Sequence, residues 1–293
     1  MTKPNLLIIG AQKAGTTSVM HYLAEHPHVF MLDEEVHYFA FNEQPNPYRM
    51  RSGNASKAQV LRWAEYLSLF DGATQKIIAE KSPSYLYYPN AAANIKQKLP
   101  DAQLIAILRN PIERAYSNYM HCINRGYEDL DFLAALDAEE QRIQKGWDPL
   151  YHYKHQGIYS EQIARFQTLF PNEQLQVYIF DDFKADPQAF MENLYENLGI
   201  DPSFKPDMDR QYNTATGRFN NAALQYVWDR TRPIHKPLKR LIPSQFKQGL
   251  KSQMVSYEAP DETAVAYLRD FYTPEIKHLE ALLGRGLAHW LQS

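Results

Sequence analysis

The run Leu6-Leu7-Ile8-Ile9-Gly10-Ala11-Gln12-Lys13-Ala14-Gly15-Thr16-Thr17-Ser18 constrains this chain more than any other stretch. An apolar run ends in a loop holding two glycines and a lysine. Two threonines then open a helical pattern through Met20, Leu23 and Ala24. The pattern predicts strand, phosphate loop, helix. Backbone N–H groups at a helix N-terminus point outward and carry partial positive charge, so such a turn holds an anion. The glycines let the backbone approach the ligand closely. A nucleotide-triphosphate loop needs lysine directly after its second glycine. Thr16 stands there instead, and the lysine has moved inside the loop, to Lys13.

The rest of the chain alternates. Strands are expected at Asn5–Ile9, Lys76–Ala79, Gln103–Leu108 and Leu175–Phe180. Helices are expected near Thr17–Glu25, Ala58–Phe70, Ala91–Leu99, Pro111–Asn124, Asp131–Lys145, Glu161–Phe170 and Pro187–Leu198. Ser160 reads as the N-cap of the Glu161 helix. Asp261–Trp290 reads as helical, with Pro274 opening a second start. Strands separated by helices imply an α/β fold with a mainly parallel central sheet and flanking helices. The 293 residues suit one domain, 1–293, with a loop-rich insertion at about 201–260 expected to cover a cleft.

The net charge of −3 argues against nucleic acid as a partner. The single cysteine, Cys122, cannot form an intramolecular disulfide. No secretory signal pattern and no membrane-spanning run is visible, so a soluble cytoplasmic protein is the expectation. No Cys/His cluster has metal-ligand spacing, so no metal is expected.

Three further motifs carry charge to strand ends. Arg109-Asn110-Pro111 leaves the Gln103–Leu108 strand, and Ser117 follows eight residues after Arg109. A planar guanidinium bonds phosphate oxygens bidentately and stays charged. The two residues can converge only if the loop curls back onto the helix. Arg114 reads as a solvated helix residue. Glu34-Glu35-Val36-His37-Tyr38-Phe39 offers a carboxylate and an imidazole for proton transfer. Glu80-Lys81-Ser82-Pro83-Ser84-Tyr85 offers a cation, with Glu80 read as its structural partner.

Together these motifs resemble the sulfotransferases that use PAPS (3′-phosphoadenosine 5′-phosphosulfate), and most of all their heparan-sulfate-type branch with its bacterial standalone members. The Gly10–Thr17 run looks like that family's 5′-phosphosulfate loop, and Arg109 with Ser117 like its 3′-phosphate signature. The resemblance implies PAPS as cofactor, PAP (3′,5′-adenosine bisphosphate) as product, and no metal. It places Gln12, Lys13, Ala14, Gly15, Thr16, Thr17, Arg109 and Ser117 on the cofactor. Glu35 matches the catalytic base, with His37 as the alternative. Lys13 would offset charge on the oxygen between phosphorus and sulfur. Lys81 would be a second active-site cation. Later landmarks, among them Gly157-Ile158-Tyr159-Ser160, Asp181-Asp182-Phe183 and Leu282-Leu283-Gly284-Arg285, read as structural.

The chain departs from the branch in two places. Glu34 stands where a lysine is usual. Asn213-Thr214-Ala215-Thr216-Gly217-Arg218 lacks the lysine of a loop that covers the cofactor, leaving Gly217 and Arg218 as the candidate contacts. The function expected is sulfuryl transfer to a hydroxyl or amine of a small natural product or an oligosaccharide. The basic segment 230–251 is either a rim for an anionic polysaccharide or membrane surface, or a solvated lid. The acidic stretch Asp131–Glu140 would instead favour a cationic acceptor. A P-loop nucleotide kinase and a non-catalytic nucleotide-binding protein are the alternatives. The sequence does not give the oligomeric state.

Overall fold

The computed structural model describes residues 2–53, 61–208 and 259–292, and the backbone of 218–219 and 255–256. Gly217, the side chain of Arg218 and the basic segment 230–251 therefore lie outside the described residues, as does part of the 201–260 stretch.

Five parallel strands form the central sheet in the order β2-β3-β1-β4-β5. They are β1 (Leu6–Gly10), β2 (Val29–Met31), β3 (Ile77–Lys81), β4 (Gln103–Leu108) and β5 (Leu175–Ile179). Strand β1 is central, pairing Leu7 with Glu80 of β3 and Leu7 with Leu104 of β4. Every residue of β1 is buried. Such all-apolar runs belong to strands covered on both faces.

Two core clusters supply that cover. Leu7, Ile9, Leu104, Ala106 and Leu108 face one side, packed with residues of α4 (Ala91–Lys98), α5 (Pro111–Asn124) and α8 (Tyr159–Gln167). Leu6, Ile8, Ile105 and Ile107 face the other, packed with α1 (Thr16–Ala24), α9 (Phe180–Ala185) and α10 (Pro187–Asn197). The period of two in strand side chains divides the sequence between these layers. Short helices α2 (Tyr38–Phe41), α3 (Trp63–Ser68), α6 (Phe132–Asp137) and α7 (Glu139–Gln144) fill the connections. The two-residue strands β6 (Arg218–Phe219) and β7 (Val255–Ser256) pair antiparallel, and α11 (Glu262–Leu283) follows. Among the described residues no helix is long and apolar enough to cross a membrane.

Several expectations are corrected. Strand β2 and helix α9 were not legible. Helix α3 is confined to Trp63–Ser68 among the described residues, shorter than the 58–70 span read from spacing. The Asp131–Lys145 helix is two helices, α6 and α7, meeting at Ala138. Ser160 lies inside α8 rather than capping it. Its N–H and hydroxyl both donate to Glu275 of α11, at 2.7 and 2.6 Å. Pro274 does not divide α11, which runs unbroken across it.

Helix α9 positions a ring below the phosphate loop. Arg285 bonds Asp182 bidentately, 2.6 Å per bond, and Trp290 donates to Asp181 at 2.6 Å. These bonds tie the C-terminal segment to α9 and so fix Phe180. Gly15 caps α1 at φ +81°, and a Cβ there would overlap the Phe180 ring. Gly72 has φ +84° but open space around it. Gly15→Ala should therefore lower unfolding free energy by about 2–5 kcal/mol through strain plus overlap. Gly72→Ala should lose only about 1 kcal/mol. Urea denaturation of the two variants checks this, and equal losses would show that Phe180 does not confine the loop.

Candidate active site

The C-terminal ends of β1, β3 and β4 converge, as parallel strands do, and each delivers one motif. After β1 the loop turns at Lys13, whose φ of 68° is left-handed, and again at Gly15. The amides of Gly15, Thr16 and Thr17 meet no acceptor among the described residues, since the first N–H groups of a helix have no carbonyl one turn earlier, and the helical bonds begin with Ser18 and Val19 donating to the Gly15 carbonyl. Thr16 is buried and Thr17 half-buried. Helix α1 thus presents unpaired N–H donors and two hydroxyls at its N-terminal end.

Lys13 lies among cations. Burial lowers its pKa, and the guanidiniums of Arg109, Arg125 and Arg114 push in the same direction. The neighbouring Cys122 thiol is pushed up to about 12 by burial, so it stays neutral and offers no counter-charge. Among the described residues no carboxylate pairs with Lys13. Nearby His121 is held down to about 4 by burial and by Lys13 and Arg125. Lys13, Arg109, Arg114 and Arg125 thus gather positive charge beside the N-terminal end of α1.

Arg109 is fixed on three sides. Its Nε and Nη2 donate to Glu113 at 3.0 and 2.7 Å, and its Nη1 donates to the Lys13 carbonyl at 3.3 Å. The guanidinium lies 5.3 Å from the centroid of the Phe180 ring. Glu113 and Ser117 are four residues apart on α5 and share a helix face. The Glu113 bond therefore curls the Arg109 side chain back onto α5. Tyr159 donates to the Arg109 carbonyl at 2.9 Å, which holds the strand exit. Arg114 is not solvated as the sequence suggested. It is fully buried, and its Nη2 donates to the Tyr153 carbonyl.

The other half is built on β3. Successive strand residues point to opposite faces, so Glu80 and Lys81 part company. Lys81 is nearly buried and donates to Glu35 Oε1 at 2.6 Å and to Thr17 Oγ1 at 3.0 Å. A lysine has three N–H donors, so one proton meets no acceptor among the described residues. Glu35 is the exposed member of the pair, 41% against 4% for Lys81. His37 Nε2 stands 3.7 Å from Glu35 Oε2, and its Nδ1 is 2.7 Å from Ser84 Oγ. Burial lowers the His37 pKa, only partly offset by Glu35, so the ring is neutral near pH 7. Glu34 is exposed, and its side chain makes no hydrogen bond or ion pair among the described residues.

Glu80 is not the partner of Lys81. It is wholly buried on the opposite face and accepts from Tyr66 at 2.8 Å, Tyr85 at 3.0 Å and Ser82 at 3.0 Å. The acidic stretch near 131–140 is likewise less open than expected, since Glu139 is fully buried and accepts from the backbone of Lys154 and His155.

The structure thus brings Glu35, His37, Lys81 and Thr17 together, and separately Lys13 and Arg109, with the Gly15–Thr17 turn between the groups. Sequence reasoning missed Glu113, Phe180, Ser82 and Ser84 as supports. Glu113 was detectable at i+4 from Arg109, whereas nothing local to Phe180 announces its place under the loop. Among the described residues no cluster of His, Cys, Asp or Glu could hold a metal ion.

Burial pushes Glu80 from the ordinary carboxylate range up to about 7, against the pull of its three hydroxyl bonds. The folded protein then keeps a proton that the unfolded chain releases between about pH 4.5 and 7. Stability supplied by that proton is present at lower pH and is lost as pH rises through 7. Relative to Glu80→Gln, the native protein should lose roughly 3 kcal/mol between pH 4.5 and 7.5. Parallel unfolding free energies for the two proteins across that window would contradict this.

Residues 4–206 match the model of the Sulfotransferase family. The chain is 28% identical over 207 residues to the human bifunctional heparan sulfate N-deacetylase/N-sulfotransferase 2, a match covering 68% of this chain and 22% of that protein. It is 26% identical over 202 residues to human heparan sulfate glucosamine 3-O-sulfotransferase 3B1, covering 67% of this chain and 46% of that one. A solved sulfotransferase from Alicyclobacillus acidocaldarius is 27% identical, superimposes with a TM-score of 0.76, and is covered over 99% of both chains. The chain spans about a quarter of the length of the N-deacetylase/N-sulfotransferases it matches.

Proposed function

Since the chain belongs to the sulfotransferase family, we propose that it moves a sulfuryl group from PAPS to a hydroxyl or amine of a carbohydrate or small natural product. The observation that carries this reading is the Lys13 lobe. A half-buried ammonium sits among guanidiniums with no carboxylate paired to it among the described residues, beside unpaired helix amides. That donor set fits a multiply anionic nucleotide. Gln12, Ala14, Gly15, Thr16 and Thr17 would hold its 5′ end, and Arg109 and Ser117 its 3′-phosphate. Gly217 and Arg218 are proposed further contacts.

When bound, PAPS supplies the sulfuryl group and a phosphate leaving group. Catalysis then rests on positioning and on offsetting negative charge. Lys13 and Lys81 would supply that positive charge, Lys81 with the proton that has no protein acceptor here. Glu35 would take the acceptor's proton, held in place by Lys81. Neutral His37, close to the same carboxylate, is the second candidate base. Glu35 is also the most exposed member of this cluster, as contact with an entering acceptor requires. The carbohydrate class is supported by the heparan-type relatives.

Calorimetric titration tests the nucleotide half. PAP should bind more tightly than 5′-AMP or ATP with Mg²⁺, and Arg109→Ala should weaken PAP at least about 10-fold, one bidentate charged contact being worth 1.5–3 kcal/mol. Preference for ATP with Mg²⁺, or indifference to the 3′-phosphate, would move the kinase reading ahead. Labelled PAPS offered to hydroxyl and amine acceptors tests the chemistry. Glu35→Gln should lower turnover at least about 100-fold with PAP affinity unchanged. Near-normal turnover in a folded Glu35→Gln protein would remove Glu35 as the base.

A further inference from the structure

Glu80 lies one residue from Lys81 and takes no part in the scheme above. It is nonetheless an uncommon feature, a carboxylate with zero exposure met only by hydroxyls. No cation pairs with it among the described residues. Taking a carboxylate out of water is costly, and a well-packed neutral side chain would stabilise the fold better. Its placement therefore calls for another explanation.

The bonds beyond it supply one. In its ionised form Glu80 is acceptor-only, so each of the three hydroxyls then donates inward to it. Ser82 Oγ, its proton committed to Glu80, turns a lone pair outward and accepts the His37 N–H at 3.1 Å. Ser84, in the same turn, meets the His37 ring at 2.7 Å. His37 has φ 55°, a left-handed backbone that a non-glycine residue adopts only when its surroundings hold it. The other two donors act on the same segment. Tyr66 stacks on Tyr38 with centroids 4.7 Å apart, and Tyr85 packs edge-on to Phe39 at 5.6 Å. Residues 37–39 are thus gripped from the core by Ser82, Tyr66 and Tyr85, which converge on one carboxylate, with Ser84 holding the His37 ring beside them. From the cleft, Lys81 grips Glu35.

Resting on the sulfuryl-transfer reading, we infer that Glu80 is a positioning residue for that step: through Ser82, Tyr66 and Tyr85 it fixes the 35–39 segment so that Glu35 and His37 face the transferring group. Glu80 touches no substrate in this arrangement. It acts through the amide of His37 and the rings beneath Tyr38 and Phe39.

The test compares wild-type protein with Glu80→Gln, Ser82→Ala and the double variant. PAP affinity is read by calorimetry, the His37 ring titration by NMR of histidine-labelled protein, and turnover with labelled PAPS. The acceptor is whichever the screen above identifies, or water, followed as release of sulfate. PAP affinity should stay within about twofold in all three variants, since the phosphate loop and Arg109 are untouched. Turnover should fall about 10- to 100-fold in either single variant with acceptor KM within about threefold, and the double should be no worse than the worse single. The His37 midpoint should move in both single variants.

The groups facing Glu80 are Tyr66 on α3, Tyr85 and Ser82 in the turn, and the Glu35 carboxylate. The pH profile of turnover should accordingly carry an acid limb near 7 that Glu80→Gln abolishes. An unchanged His37 midpoint with unchanged turnover overturns the inference. So do additive losses in the double variant, or turnover that falls only in step with PAP affinity and melting temperature. Should Glu80→Gln fail to fold, Ser82→Ala alone decides, because it removes the relay and leaves the buried carboxylate. Wild-type protein that does not bind PAP would sink the sulfotransferase reading instead, and the His37 midpoint would still report whether Glu80 sets that residue.

Discussion

The ion pair between Lys81 and Glu35 joins strand β3 to the segment after β2, and the candidate site is arranged around it. Lys81 is nearly buried, so its charge is expensive unless paired. Glu35 at 2.6 Å and Thr17 at 3.0 Å supply the pairing. One lysine thereby links three chain segments: the end of a strand, a loop and the first turn of α1. The gain is in geometry more than in stability, since the cost of taking the Lys81 charge out of water offsets much of the attraction. Breaking it from one side leaves an uncompensated charge, which is why a change at either residue should be felt at the other.

The frame of the fold was legible because its signals are local. Strand β4 and helix α5 follow the spacing of apolar residues and the proline at the first helical turn, and both fall where the sequence put them. The loop from Gly10 to Thr17 was readable from two glycines and the helix that follows. What escaped the sequence depends on contacts made across the chain. Helix α9 is six residues long and is secured by Arg285 and Trp290, more than a hundred positions away. The cap expected from Ser160 is formed instead by Glu275, and no window around Ser160 contains that information.

The residues of the site show the same division. Lys13, Arg109, Glu35 and Lys81 were nameable because each sits at a strand exit or loop in a spaced motif. Their partners follow strand alternation, which adjacency in sequence does not show. Glu80 and Lys81 are neighbours in sequence, which suggests a pair, yet a period of two places them on opposite faces of the sheet with separate partners. Helical spacing alone suggests a solvated Arg114, but α5 is covered there by the Tyr153 segment. Helical spacing shows which residues share a face, not which face is covered.

The two halves of the site differ in charge balance, one held by the Lys81–Glu35 pair and the other gathering Lys13 and Arg109, and are alike in backbone. Lys13 and His37 both hold left-handed φ, 68° and 55°, in positions where glycine would be easier. A glycine at either place would keep the turn and lose the side chain. At Lys13 the ammonium sits inside the loop that carries the free amides of Gly15–Thr17, and the left-handed backbone there costs about 1–3 kcal/mol. At His37 the twist sends Glu35 toward the cleft and Tyr38 and Phe39 into the core within a few residues. Ser82 and Ser84 hold the amide and the ring of that residue. A strained residue persists only where neighbours over-determine it, and here those neighbours come from the turn that follows β3. The same strand thus carries the cation that orients Glu35 and, through the next few residues, the bonds that keep the backbone beside it from relaxing.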